Sequence, residues 1–182
     1  MAKKRTITDL RKFLAKARRE VEAALPSIVR DFAHSAKVIS ERNIIEKGFG
    51  ETYSSTEVPA FYFYGKEINQ KGKSEREKRS KKKETMSWAQ FRSAQGLPDD
   101  HVTLSYSNEM WRGTNVVGAE KIGNVYYSIL GSTTESGRNK LQWNFERYGN
   151  FMLKGLSKKD EAFLVNDVAI EPILEIIKKN LD

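Results

Sequence analysis

The stretch that decides the fold is TDLRKFLAKARREVEAALPSIVRDFAHSAKVISERNIIEK, residues 8–47. Its apolar residues recur every three or four positions, with basic side chains between them. That spacing predicts an amphipathic helical segment with one apolar face. Pro26 either kinks this helix or opens a second one as its first residue. Gly48 and Gly50 are expected to end the helical N-terminal part, which we assign to residues 1–50.

Strands are predicted where β-branched and aromatic residues alternate with polar ones. They cover residues 57–65, 101–106, 115–119 and 121–130. Residues 131–137, rich in Gly, Ser and Thr, are predicted to form a loop. Together with the helical N-terminal part, this order indicates an α+β fold with a central antiparallel sheet.

Further helices are predicted from their start signals. Ser87 with Gln90, and Ser157 with Asp160, have the spacing of a capping box. The apolar stripe over residues 170–181 predicts an amphipathic C-terminal helix. We therefore expect one α+β domain over residues 1–182, with N-terminal amphipathic helices, a central antiparallel sheet carrying a long basic loop, and a C-terminal helix.

A basic arm interrupts the predicted sheet at residues 66–86. Residues 66–84 hold nine basic and four acidic side chains, a net charge of +5, and residues 1–47 carry a net +6. Since the whole chain carries +8, the remainder is slightly acidic. The arm's cationic residues are Lys66, Lys71, Lys73, Arg76, Lys78, Arg79, Lys81, Lys82 and Lys83. Such an arm can contact nucleic acid through phosphates, contact an acidic protein partner, or simply remain solvated.

Aromatic residues flank this arm on both sides. Phe61, Tyr62, Phe63 and Tyr64 precede it, and Trp88 follows it. If residues 57–65 form a strand, at most two of the first four side chains share a face. Packing in the core or at a subunit interface is the favoured interpretation, and stacking on bases is the alternative.

The composition excludes several classes of site and of protein. The chain has no cysteine, which excludes disulfides and thiolate metal sites, and its two histidines are far apart in sequence. The basic N-terminus lacks the apolar stretch of a secretory signal, and no apolar run approaches the roughly 20 residues that span a bilayer. A cytosolic origin is the simplest interpretation.

No motif for catalysis or for a cofactor is present. The chain lacks both a phosphate-binding loop and a dinucleotide-binding glycine motif. His101 and Ser105 would lie about 13 Å apart along a strand, too far for a nucleophile and its base. We predict no catalytic, metal or cofactor-binding residue, and hence no enzyme.

The element order and one local motif resemble those of the tail-completion or neck proteins of long-tailed bacteriophages. Late in the chain, Trp143-Asn144-Phe145-Glu146-Arg147-Tyr148-Gly149 is similar to the family's aromatic-x-x-Glu-aromatic-Gly motif. Here Arg147 stands between the glutamate and the second aromatic residue, and the Arg-Pro-Phe segment common after the motif is absent. Residues 170–181 resemble the family's closing helix.

The resemblance implies a structural virion protein at the head–tail junction, assembled in the host cytoplasm. It would form a homo-oligomeric ring, contact neighbouring portal, adaptor or tail proteins, and surround a channel through which double-stranded DNA passes. In that role the basic arm would bind an acidic neighbour or line the DNA path. The alternative hypothesis is a nucleic-acid-binding module that uses the arm and its flanking aromatics.

Overall fold

The computed structural model describes residues 7–63, 79, 82–104 and 109–181, with the backbone alone at Glu109. The helices are α1 (Ile7–Lys47), α2 (Trp88–Ala94), α3 (Glu109–Gly113), α4 (Glu135–Tyr148), α5 (Phe151–Lys154), α6 (Lys158–Phe163) and α7 (Glu171–Leu181). A 3₁₀ turn covers Ala60–Phe63, and a π-helical segment, Leu164–Ile170, joins α6 to α7. The strands are β1 (Val58–Pro59), β2 (Thr85–Met86), β3 (Thr114–Ile122) and β4 (Val125–Ser132). The predicted α+β fold class is confirmed, with two small antiparallel sheets in place of one central sheet.

The chain divides into two compact units, and the prediction of a single domain stays a prediction. The first unit contains residues 7–43 and 109–181, and the second contains the described residues between 44 and 104.

The N-terminal helix α1 is one helix of 41 residues, with Pro26 in its interior. A second helix therefore does not open at Pro26. The expected end is confirmed, because α1 stops at Lys47 and Gly48 adopts a φ of +70° while its N–H donates to the carbonyl of Ile44. His101 Nε2 lies 3.2 Å from the Ile45 carbonyl, so His101 contacts the last turn of α1.

In the first unit, α1 runs antiparallel to the C-terminal helical stretch. Asn180 on α7 donates to Glu20 at 2.7 Å, and Asn43 donates to Asp160 on α6 at 3.0 Å. The bond from Asn180 is the main cause that lowers the pKa of Glu20. Hydrogen bonds from Ser157, which caps α6 as predicted, lower the pKa of Asp160.

The core of the first unit forms where α3 and α5 meet the longer helices. Trp111 and Phe151 are fully buried, and their rings meet edge to face at a centroid distance of 6.0 Å. The hydroxyl of Ser40 on α1 donates to the Met152 carbonyl at 2.8 Å. A buried hydroxyl needs such a partner, and this bond ties α5 to α1.

The second unit is built around a buried arginine. Arg92 on α2 is 1% exposed, and its guanidinium donates to the Pro98 carbonyl at 2.8 Å and to the Thr103 hydroxyl at 3.1 Å. The same group lies 4.4 Å from the ring centre of Tyr53, whose hydroxyl accepts a hydrogen bond from the Thr103 N–H. The capping box of Ser87 and Gln90 begins α2 as predicted.

Two predicted strands are wrong in extent. Within the described residues 57–63 only Val58 and Pro59 form a strand, because proline lacks a backbone donor and the chain then turns into a 3₁₀ helix. Residues 64–65 of that prediction lie outside the described residues. Residues 101–104 form no strand, because Leu104 has a φ of +54°, which is incompatible with an extended chain. Residues 105–106 of that prediction lie outside the described residues.

Candidate interaction surface

The predicted interface aromatics are divided between a packed cluster and the surface. Phe63 stacks on Phe91 at 5.1 Å and lies 5.5 Å from Trp88. Both predicted residues are therefore partly buried in an aromatic cluster around Phe91. Tyr62 is 68% exposed, and Phe61 contacts it at 4.5 Å. Tyr64 lies outside the described residues.

The described part of the basic arm is tied to an acidic side chain. Arg79 donates to Glu84 at 3.1 Å, and Lys82 lies 3.8 Å from the same carboxylate. The Glu84 carbonyl accepts from the N–H of Ala60 at 2.8 Å, so this end of the arm is anchored beside the small sheet of β1 and β2. Lys83 is exposed. The other cations predicted for the arm lie outside the described residues: Lys66, Lys71, Lys73, Arg76, Lys78 and Lys81.

The hairpin of β3 and β4 carries a surface that the sequence did not identify. The two strands pair from Thr114 with Ser132 to Ile122 with Val125, with a bulge at Val117. The turn between the two strands lies at residues 123–124, whereas the sequence predicted the boundary between them near residue 120. Gly123, with a φ of +60°, supplies the left-handed conformation that the tight turn needs.

One face of this hairpin is exposed and largely apolar, with Glu120 lying opposite Tyr127 on it. In β4 the side chains of Val125, Tyr127 and Ile129 alternate with partly buried ones, so they share a face. Ile122 lies opposite Val125 in register, and all four side chains are between 42% and 63% exposed. Val117, at 51% exposed, completes the set on β3. We call these five residues the hairpin face.

A groove of about 740 Å³ lies beside the hairpin face. Val117, Tyr127 and Ile129 form one wall, and Phe145 of α4 and Leu153 of α5 form the other. Phe145 is 44% exposed and Leu153 is 60% exposed, so apolar atoms of both walls are open to solvent.

Capping bonds position the helical wall of the groove. The Thr134 hydroxyl accepts from the N–H of Gly137 and begins α4, so the predicted loop 131–137 is shorter than expected. The Asn150 side chain accepts from the N–H of Leu153 and begins α5. Phe151, buried against Phe145 at 5.1 Å, fixes the angle between the two helices.

The groove has one basic group at its margin. Arg138 donates to the carbonyl of Ser132 at 3.3 Å, which holds its guanidinium at the end of β4. The remaining lining is dominated by aliphatic and aromatic side chains. Such a surface can bury apolar groups of a partner.

The structure describes no constellation suited to metal binding. Among the described residues, no group of three or more His, Asp or Glu side chains is placed to hold a metal ion. In that same part of the chain, no helix combines the length and apolar character required to cross a membrane.

Comparison of the chain with protein-family models, with curated protein sequences and with solved structures finds no match. The function is therefore argued from the residues and their geometry.

Sequence reasoning missed the hairpin face because β4 looks apolar on both sides. Residues 125–130 read VYYSIL, in which five of six residues are large and apolar or aromatic. A run of this kind is typical of a strand covered on two faces. The sequence of the strand does not show that other segments of the chain pack against one of its faces and leave the other exposed.

Proposed function

We propose that this chain is a structural subunit of the neck or tail-completion region of a tailed-phage virion, where it assembles as a ring. The observation that carries this proposal is the exposed hairpin face with its adjoining groove. The resemblance in residues 143–149 and 170–181 supports the class of protein.

A contiguous apolar surface of this size favours an interaction function. The largest apolar patch on a soluble monomer typically covers about 300–600 Å², and such a patch is often a site of contact. The chain does not spread its exposed apolar groups evenly, since five lie on one hairpin and two more across the groove.

A ring also requires two different, complementary surfaces on each subunit. The hairpin face offers one surface for contact with a neighbour, and the net charge of +5 over residues 66–84 suits contact with a different, acidic surface. In the proposed ring, the main contact of the arm is with an acidic neighbouring protein. Contact with DNA in the channel is secondary.

Native mass spectrometry and light scattering test the ring. The purified protein is measured alone and together with the portal or tail proteins encoded beside it. Assembly into a closed oligomer in either sample supports the proposal. A protein that stays monomeric in both samples contradicts it.

The nucleic-acid-binding alternative is distinguished by a mobility-shift assay at several salt concentrations. The variant in which Lys78, Arg79, Lys81, Lys82 and Lys83 become serine serves as the comparison. Tight, salt-dependent DNA binding by a monomer, lost in this variant, would favour the alternative.

A further inference from the structure

The N-terminal end of α1, residues 7–19, is basic and carries an exposed apolar stripe. Ile7, Leu10 and Leu14 are spaced three and four residues apart, so they share one side of the helix, and they are 76%, 50% and 55% exposed. The same residues include five basic side chains and one acidic side chain, a net charge of +4. We call residues 7–19 the basic end. An apolar stripe with cations beside it suits a partner that is both apolar and acidic.

The C-terminal helical part of the chain has the opposite charge. Residues 160–177 contain five acidic side chains and no basic one, a net charge of −5, and we call them the acidic stretch. Val165, Ile170 and Leu174 are 46%, 42% and 39% exposed. Val165 and Ile170 are five residues apart in the π-helical segment, whose hydrogen bonds join residues five apart, and Leu174 follows Ile170 by one α-helical turn. The π-helical segment therefore aligns these three side chains in one exposed apolar stripe.

Charged side chains border the apolar stripe on each surface. In the acidic stretch, Glu171 directly follows Ile170 and is exposed, and its ion pair with Lys178 at 3.3 Å lies on the surface. In the basic end, Arg11 and Arg18 stand one turn after Ile7 and Leu14 and are exposed. Arg18 pairs with a glutamate on the same helix, and a surface pair of this kind contributes little. Each surface thus presents apolar groups beside charges of one sign, and the two signs are opposite.

The two surfaces cannot meet within one copy. Ile28 of α1 lines the same cleft as Val168 and Pro172, which places the acidic stretch beside the middle of α1. Leu10 precedes Ile28 by 18 residues, which is about 27 Å along the helix at about 1.5 Å per residue. Each copy therefore presents the two surfaces at separate places on the first unit.

We propose that the basic end of α1 docks on the acidic stretch of a second copy of this chain. Charge favours this pairing, because two basic ends or two acidic stretches would repel each other. DNA would neutralise the cations of the basic end but would leave its apolar stripe and the whole acidic stretch uncovered. The contact joins two unlike surfaces, so each copy uses one of them toward each neighbour, as a ring requires. The inference rests on the proposed function, since the second copy is the ring neighbour.

Charge reversal tests this pairing. Arg11→Glu with Arg18→Glu reverses the basic end, and Asp167→Arg with Glu171→Arg reverses the acidic stretch. Each double variant places like charges across the contact, so we expect it to raise the subunit dissociation constant at least about tenfold in the sample in which the ring forms. The chain that carries all four substitutions should return to within about threefold of the unsubstituted protein, because opposite charges face each other again. Sedimentation over a range of concentrations measures each constant.

The matched control makes the same change of charge on the opposite side of α1. Arg19 follows Leu10 by nine residues, or two and a half turns, and Arg30 lies three turns further on, so both point away from the apolar stripe. Both are exposed. Arg19→Glu with Arg30→Glu is therefore expected to leave the dissociation constant within about threefold, which separates a local contact from an effect of net charge.

Serine substitutions test the apolar part of the contact. Leu10→Ser changes the basic end and Ile170→Ser changes the acidic stretch, and each is expected to raise the dissociation constant about five- to tenfold. Val38→Ser is the matched control, because Val38 lies on α1 and is 47% exposed. This control should leave the constant within about twofold.

The outcomes separate the contact from the ring. If the chain with four substitutions assembles no better than the double variants, while circular dichroism shows every variant folded, the charge pairing between copies is refuted. A ring that all variants form equally well overturns the inference and leaves the proposed function standing. So does a DNA mobility shift that Arg11→Glu with Arg18→Glu abolishes while assembly is unchanged. Absence of assembly by the unsubstituted protein, alone and with its neighbours, contradicts the proposed function and the inference with it.

Discussion

Replacing Arg92 by alanine is expected to destabilise the second unit severely. The substitution removes two hydrogen bonds from a charged donor, to Pro98 and Thr103, in a setting where the side chain is 1% exposed. Each such bond contributes about 1.5–3 kcal/mol, and the contact with the Tyr53 ring adds about 1–2 kcal/mol. Water that enters the vacated space restores part of this stabilisation. We therefore expect the free energy of unfolding to fall by about 3–5 kcal/mol.

Thermal unfolding followed by circular dichroism and calorimetry measures this loss. For a chain of this size, each kcal/mol lowers Tm by about 2–4 °C, so the expected drop is about 6–20 °C. Arg18→Ala is the matched control, because Arg18 is 80% exposed and makes a surface ion pair with Glu22. That control is expected to cost less than about 0.5 kcal/mol. Equal Tm values for the two variants would refute the role assigned to Arg92.

Three further predictions concern the helix ends. Hydrogen bonds from Ser157 lower the pKa of Asp160 below its ordinary 3.8, so this carboxylate stabilises the fold above that value and the contribution is lost as pH falls through the lowered pKa. The urea midpoint of the native protein should therefore exceed that of Asp160→Asn at pH 7, and the difference should shrink as pH falls below 3.8; a difference that stays constant would contradict the lowered pKa. Gly48→Ala should cost about 1–2 kcal/mol in denaturant unfolding, because Gly48 has a φ of +70° and a Cβ there would lie 2.8 Å from His101. An unchanged denaturant midpoint for Gly48→Ala would show that the backbone at residue 48 shifts to accommodate the added Cβ. Ser87→Ala should cost about 1 kcal/mol and Ser87→Gly only a few tenths, and equal Tm values for the two would argue against the cap.

The helices could be predicted from the sequence because their signals are local. Ser87 and Ser157 each begin a helix by bonding a backbone N–H three residues on, and both capping boxes are visible in four consecutive residues. The end of α1 at Gly48 is equally local, since a glycine at positive φ closes the last turn. For these elements, side-chain chemistry within one turn determines the boundary.

The strands were harder because their extent depends on distant segments. The aromatic run after Pro59 looks extended by composition, yet Phe63 turns inward to pack on Phe91, which lies 28 residues further along. The hairpin face was missed for the same reason, since exposure depends on which segments cover a strand. Likewise, no local pattern indicated that Arg92 is buried, because its partners Thr103 and Tyr53 come from other parts of the chain.

The pairing of α1 with the C-terminal helices determines when each unit can form during synthesis. Glu20 and Asn180 are 160 residues apart, so their contact cannot exist until residue 180 has left the ribosome. The second unit, by contrast, draws only on residues between 44 and 104 and is available earlier. Contacts of such long separation are slow to close, and until then the apolar stripe of α1 has no helix to cover it. The nascent chain therefore carries α1 uncovered until the C-terminal helices have emerged, which makes this interval the one in which a chaperone would act.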